Sequence, residues 1–477
     1  MQKQGLRRAL GTLLLALLAT EAAAEVAGDA VPVQQLRGRA PDGGGRGRMP
    51  DSAEDRIGAE QREAIWSRLR ERLARLPPLP PQAQKKSQPK LGWPLLASPQ
   101  LSDPGYHGVS NFVDHDAATS VIDYSCAARS YDGHAGTDIF TWPFSWLKTS
   151  RGDVQIVAAA AGRIIDKLDG NPDQSCAADG GDWNAVYLQQ NDGSIVWYGH
   201  MKQGSLTSKA VGDSVAAGEF LGLVGSSGNS TGPHLHLELY DAAGTLTDPY
   251  VGSCNALTTP WWKSQPAYRD SAINLVTVGY DAPLFPACPG IESPNTRDSF
   301  NPGERVYLTN YYRDQVAGQV SDFQITQPDG VVYSSWSQTS PDTYNASYWY
   351  WYFTLPSAPQ TGTWKFTVSY QGVTLARYFN VGSPTSVKVK VPNGGEIYNR
   401  GDKIAVKWKS NIGGELRAEL WMKSVFIGTL FKTTPNDGKQ NWTIPTDLAP
   451  GSKYRIKLVD LADETVQDLS DGNFTVQ

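Results

Sequence analysis

From Pro233 to Tyr240 polar and apolar residues alternate through His234, Leu235, His236, Leu237, Glu238 and Leu239. A period of two predicts a half-buried strand with both histidines on one face. Ile65, Leu69, Leu73 and Leu76 instead recur at helical spacing among Arg and Glu, which predicts an amphipathic helix over about residues 59–76. Pro77-Pro78-Leu79-Pro80-Pro81 stops it and begins an extended linker to about Lys90.

Residues 91–265 break into short strands. Val154 to Ile165 reads as two strand segments about a small-residue bend, and Ala185–Leu188 and Ser194–Tyr198 form a hairpin across Asp192-Gly193. Glycines then recur around short apolar pieces from Val211 to Gly225. This pattern predicts a strongly bent antiparallel sheet.

After Ser271 the runs Val306–Leu308, Phe323–Ile325, Tyr348–Phe353 and Trp364–Val368 are separated by Pro, Gly, Asn and Asp turns, as in an immunoglobulin-like sandwich over residues 271–382. A Gly-Ser-Pro linker follows. A second sandwich is expected over residues 386–477, with Ile404, Val406 and Trp408 on one inward face and Tyr454, Ile456 and Leu458 on another. The fold class is therefore mainly β.

The N-terminus changes the picture of where the chain resides. Lys3, Arg7 and Arg8 precede the apolar run Ala9–Leu18 and then Ala22-Ala23-Ala24, so residues 1–24 read as a secretory signal peptide. The apolar run falls short of the ~20 residues that span a bilayer. No later stretch is long and apolar enough to span one, so no stable membrane span is expected after cleavage. Residues 25–56 lack apolar periodicity and are expected to be disordered. Residues 25–90 as a whole read as a tether or as a pro-region covering the cleft.

Net charge is −5, but residues 1–24 carry three basic and one acidic side chain and residues 25–100 thirteen and nine. Residues 101–477 thus hold eleven more acidic than basic side chains, which excludes a nucleic-acid partner and its basic patch. Four cysteines in an exported chain predict disulfides, with Cys126–Cys176 and Cys254–Cys288 the favoured pairs from their neighbourhoods along the chain.

The chemistry rests on six histidines. Besides the strand pair they are His134, four residues before Asp138; His200, ending the run Ile195–Gly199; and His107 and His115, which read as surface or core residues. A catalytic zinc takes three protein ligands and leaves a position for water. His134, Asp138 and one histidine of the pair would suffice, leaving two histidines for proton transfer.

His134-x-x-x-Asp138, Tyr198-Gly199-His200, the Gly-rich turns from Gly212 to Gly228 and Pro233-His234-Leu235-His236 stand in the same order as in the lysostaphin-like (LytM-type) zinc metallopeptidases. The chain resembles that family over about a third of its length. The resemblance implies zinc ligands His134, Asp138 and His236, with His200 and His234 handling the catalytic water. It implies a zinc endopeptidase over residues 91–265, secreted and acting on peptidoglycan. The alternatives weighed are an extracellular protease for Gly-rich proteins and a non-catalytic cell-wall-binding or activator protein. A Cys-containing insertion around Asp169–Asp182 departs from the family pattern and would reshape the substrate groove. Val391-Pro392-Asn393-Gly394-Gly395-Glu396 more weakly resembles the opening of bacterial surface-protein Ig/fibronectin-like modules. The C-terminal modules are expected to contact a surface or glycan, and the six aromatics Tyr348–Phe353 to meet a domain, partner or glycan on one face.

Overall fold

The computed structural model describes residues 57–79, 88–178, 181–382, 385–412 and 414–477, and the backbone of residues 42–47. The leader expected over residues 1–24 lies outside them. The strands to the end of the first sandwich are β1 (Asp42–Gly47), β2 (Leu95–Ala97), β3 (His107–Asn111), β4 (Thr137–Thr141), β5 (Val154–Val157), β6 (Gly162–Leu168), β7 (Ala185–Gln190), β8 (Ile195–Gly199), β9 (Ser214–Val215), β10 (Phe220–Leu223), β11 (His234–Tyr240), β12 (Ala272–Gly279), β13 (Ser299–Phe300), β14 (Arg305–Gln315), β15 (Val320–Thr326), β16 (Val332–Thr339), β17 (Tyr344–Thr354), β18 (Gly362–Tyr370) and β19 (Val373–Val381). The helices are α1 (Ala59–Arg75) and α2 (Ser145–Arg151). Among the described residues no helix is long and apolar enough to cross a membrane.

Strands β3, β4, β11, β8, β7, β6 and β9 form a seven-stranded sheet in that order, and β10, β5 and β2 a smaller one. Alternation along each strand sorts side chains between two layers. Leu235, Leu237, Leu239, Val186, Leu188, Val196 and Tyr198 enter the main core with Ile156 and Leu221. Ala185, Tyr187, Ile195, Trp197 and Tyr240 face the opposite way, where Ile65 and Leu69 of α1 pack on them. β11 is therefore buried along its whole length and is not the half-buried strand its alternation predicts. Polar residues survive on its second face because they bond to one another, as buried polar groups must.

Helix α1 forms where the apolar spacing places it, with Ile65 and Leu69 buried. Burying two such side chains is worth roughly 1.5–3 kcal/mol each. Arg68 Nε adds an ion pair to the buried carboxylate of Asp166 at 2.5 Å.

The expected disorder of residues 25–56 fails at β1, whose backbone pairs antiparallel with β17, Gly44 opposite Tyr350. The edge of β17 offers a row of unpaired backbone groups, and a Gly-rich segment satisfies them.

β1, β17, β14 and β12 form one sheet of the first sandwich and β13, β19, β18, β15 and β16 the other. Trp351, Phe353, Trp364, Phe366 and Val368 lie in the core between them. Residues after Val387 build two further sheets about Val406, Trp408, Tyr454, Ile456 and Leu458.

Phe140, Trp142 and Phe144, which follow Asp138 in the chain, share a separate apolar cluster with Leu275, Tyr311 and Ala346, against which Tyr348 packs. One ring of the aromatic run thus meets a neighbouring sheet, whereas Tyr350 and Tyr352 lie near Tyr307.

The disulfides differ from the favoured pairs. Cys126 bonds Cys254 and Cys176 bonds Cys288, with Cα atoms 5.1 and 5.8 Å apart. The reason lies in loop convergence. The Cys254 amide donates to the Tyr124 carbonyl at 2.9 Å, and Cys176 and Cys288 meet beside the turn holding Thr231, so proximity along the chain is a poor guide.

Candidate metal and catalytic site

Five residues from four chain segments converge on one face of the seven-stranded sheet. β11 carries His234 and His236, β4 carries Asp138 directly opposite His236 in the ladder, His200 follows β8, and His134 precedes β4. His200 stands at φ 57, in the left-handed region. That conformation is uncommon for a residue with a side chain. It is held by the bond from the Gly225 amide to the His200 carbonyl, 3.1 Å, and by the ring's own bond to Ser227.

Each histidine ring is anchored through one nitrogen and presents the other. His134 Nδ1 donates to the Phe112 carbonyl at 2.7 Å, His200 Nδ1 to the Ser227 carbonyl at 2.6 Å, and His234 Nδ1 to the Gly232 carbonyl at 2.8 Å. His236 is turned the other way, its Nε2 donating to Glu238 Oε1 at 2.9 Å. Such bonds fix the tautomer and aim the remaining lone pair.

His134 Nε2 and His236 Nδ1 lie 3.3 Å apart, and they reach the two oxygens of Asp138 at 3.1 and 2.7 Å respectively. His200 Nε2 and His234 Nε2 are buried with no hydrogen-bond partner among the described residues, and their rings are 4.4 Å apart. Among the described residues two triads could hold a metal ion: His134, Asp138 and His236, or His200, His234 and His236. Two nitrogens and a carboxylate suit a borderline cation such as zinc.

The electrostatics separate the roles. Burial opposes the charge of Asp138, yet His134 and His236 together hold its carboxyl well below the usual range. Burial likewise opposes protonation of His236, but Asp138 and Glu238 outweigh it and raise that imidazole to about 9. His200 is pushed well below the usual imidazole value by burial and by the neighbouring His234 and His236. It therefore stays neutral across the physiological range.

Three positions complete the site that the motifs do not include. Asn111 Nδ2 donates to Asp138 Oδ2 at 3.0 Å. Glu238 lies two residues past His236 on the same strand face, a position the two-residue period identifies. Gly136 sits where an added Cβ would come within 2.6 Å of His236 Nε2 and 2.9 Å of the Leu237 carbonyl, so the backbone must be bare there. His107 and His115 stand apart, the first between the rings of Trp93 and Tyr106, the second 2.9 Å from Asp248.

Residues 133–249 match the model of peptidase family M23. The DD-carboxypeptidase/endopeptidase Mpg of Neisseria meningitidis serogroup B and that of Neisseria gonorrhoeae are each 48% identical over 59 residues, which is 12% of this chain. The chain thus spans 13% of the length of the curated relatives it matches. Among solved structures, a peptidase M23 from Pseudomonas aeruginosa matches at 21% identity and a TM-score of 0.21, over 40% of this chain and 61% of that one. Fibronectin(III)-like modules of Clostridium thermocellum CbhA match at 13% identity and a TM-score of 0.17, over 43% of this chain and 94% of theirs.

Proposed function

We propose, from the peptidase family M23 domain that residues 133–249 form, that this protein is an exported zinc endopeptidase cutting peptide bonds of bacterial cell-wall peptidoglycan. The observation that carries the reading is the convergence of four histidines, each anchored through one nitrogen, with the second nitrogen of His134 and His236 facing Asp138 and that of His200 and His234 bare. The relatives' description as DD-carboxypeptidase/endopeptidase supports the reaction class. Two disulfides suit an oxidising compartment.

In this reading His134, Asp138 and His236 hold the zinc, because this triad includes the charged oxygen that the other lacks. Bound there, zinc would polarise the scissile carbonyl and bring the pKa of a water toward ~7. The remaining steps belong to the chain. His200 and His234 present adjacent Nε2 lone pairs, so one accepts the proton of the attacking water and the pair returns it to the leaving amine. Asn111 and Glu238 keep Asp138 and His236 aimed while this happens. The imidazole of His236, raised to about 9, is protonated below that pH in the metal-free site, and metal capture must displace that proton, so activity falls as pH falls.

The test is metal content and hydrolysis in five alanine variants. His134→Ala, Asp138→Ala and His236→Ala are expected to lose zinc. His200→Ala and His234→Ala should retain it while hydrolysis drops by roughly 10²–10⁴-fold, as for lost acid–base catalysis. Full zinc occupancy in the first three would sink the ligand assignment. A digest of purified peptidoglycan beside a Gly-rich protein decides the substrate, and cleavage of the protein alone would refute the cell-wall reading.

A further inference from the structure

The metal site proposed above is reached by a side chain from outside the matched residues. Arg62 is carried by α1, 176 positions before Glu238 in the chain. Its Nη1 donates to Glu238 Oε2 at 2.5 Å and to the Tyr240 hydroxyl at 2.7 Å, and that hydroxyl also donates to Oε2 at 2.5 Å. The other carboxylate oxygen of Glu238, Oε1, accepts from His236 Nε2 at 2.9 Å, and His236 Nδ1 faces Asp138 Oδ1 at 2.7 Å. Glu238 has no exposed surface, so its charge and the plane of its carboxylate depend on what bonds it at each end.

A carboxylate that accepts from the far nitrogen of a metal-binding imidazole fixes the ring and strengthens it as a donor. Here that carboxylate is itself clamped by a guanidinium whose backbone belongs to a separate helix. Trp66 of the same helix stacks edge-on to Tyr240 at 4.7 Å and lies 5.4 Å from Trp197, which keeps the turn bearing Arg62 in place.

We propose that Arg62 is a positioning residue of the metal site, acting through Glu238 on His236, and that α1 is accordingly a working part of the peptidase and not a segment removed to activate it. This rests on the metal assignment of the preceding subsection.

The helix supplies its own control. Arg68 pairs with Asp166 of the sheet at 2.5 Å, where Arg72 also reaches at 3.4 Å, and among the described residues no hydrogen bond links that group to His236. Zinc affinity, read by competition with a chromophoric chelator, and thermal unfolding are measured for Arg62→Gln, Arg62→Lys and Arg68→Gln in the full chain. R62Q is expected to weaken zinc binding by roughly 10–100-fold, the range for lost partners of metal-bound histidines, and R62K to recover most of it. R68Q is expected to lower the unfolding temperature while leaving zinc affinity as in the unaltered protein.

Unchanged zinc affinity in R62Q would overturn the proposal, as would an R68Q that loses as much affinity as R62Q. Glu238→Gln keeps the oxygen that accepts from His236 but removes the charge, and it is expected to weaken zinc binding to the same order. An E238Q that binds zinc like the unaltered protein overturns the proposal even where R62Q does not fold. Unaltered protein that binds zinc and cuts nothing refutes the proposed reaction and leaves the clamp standing. Failure to bind zinc at all removes both.

Discussion

Gly136 puts the residue scale in its sharpest form. An alanine there sets a methyl group within 2.6 Å of His236 Nε2, the atom bonded to Glu238, and backbone on the other side allows little retreat. Gly136→Ala is expected to lose zinc affinity more than it loses thermal stability, which chelator competition and calorimetry on one sample compare directly. The histidines themselves were legible. The strand period puts His234 and His236 on one face, and the spacing of His134 and Asp138 marks a second arm of the site. Glu238 obeys the same period and was within reach of that reasoning. Arg62 was not, because nothing local to a solvent-type arginine on an amphipathic helix says that a carboxylate far along the chain will lie above it. The cysteines fail for the same reason, since each pairs across a loop whose course is set by packing.

Among the elements, α1 and the strand hairpin stand where periodicity and turn residues place them, since both depend on neighbours close in sequence. β11 departs from expectation because amphipathicity reports two chemically different faces and does not say that the polar one meets water. A junction between elements shows the same limit. Asp298, just before β13, and Asp460, at the end of the strand Gly451–Asp460, are both buried, and their carboxyl groups meet. Burial raises both above the ordinary carboxyl range, and Asp298 lifts Asp460 further, whereas the bond to Asp460 acts to lower Asp298. Two such groups cannot both ionise cheaply, so the folded protein keeps a proton there that the unfolded chain releases at about pH 4. The contribution to stability is thus complete below about pH 4 and is lost as pH rises toward the raised values. Asp460→Asn removes one titrating partner. It is expected to raise the unfolding temperature at pH 8 relative to the unaltered protein and to flatten its dependence on pH, as thermal scans at pH 5 and pH 8 would register.

Over the whole molecule, the sequence separates chemistry before residue 265 from surface contact after 271, yet the packing joins them. Arg129 is buried and paired with Asp314 at 2.5 Å, and Phe140, Trp142 and Phe144 complete an apolar cluster with Leu275, Tyr311 and Ala346. Ending the chain near Pro266 would strip that cluster and leave a buried guanidinium without its carboxylate, a loss of about 3–5 kcal/mol for such a pair. The shortened protein is therefore expected to unfold at lower temperature and to cleave even a small soluble peptide poorly, whereas undiminished peptide cleavage would show that the catalytic sheet stands alone. The disulfides give this joining an order in time. Cys126 waits for Cys254, 128 positions later, and Cys176 for Cys288, 112 positions later, so the two links interlace along the chain. In a polypeptide made N-terminus first, the histidines are all present by residue 236, but the loop beside them stays untied until β12 has followed. A nascent chain halted short of Cys288 would carry every histidine and carboxylate of the candidate site and lack its last covalent fastening.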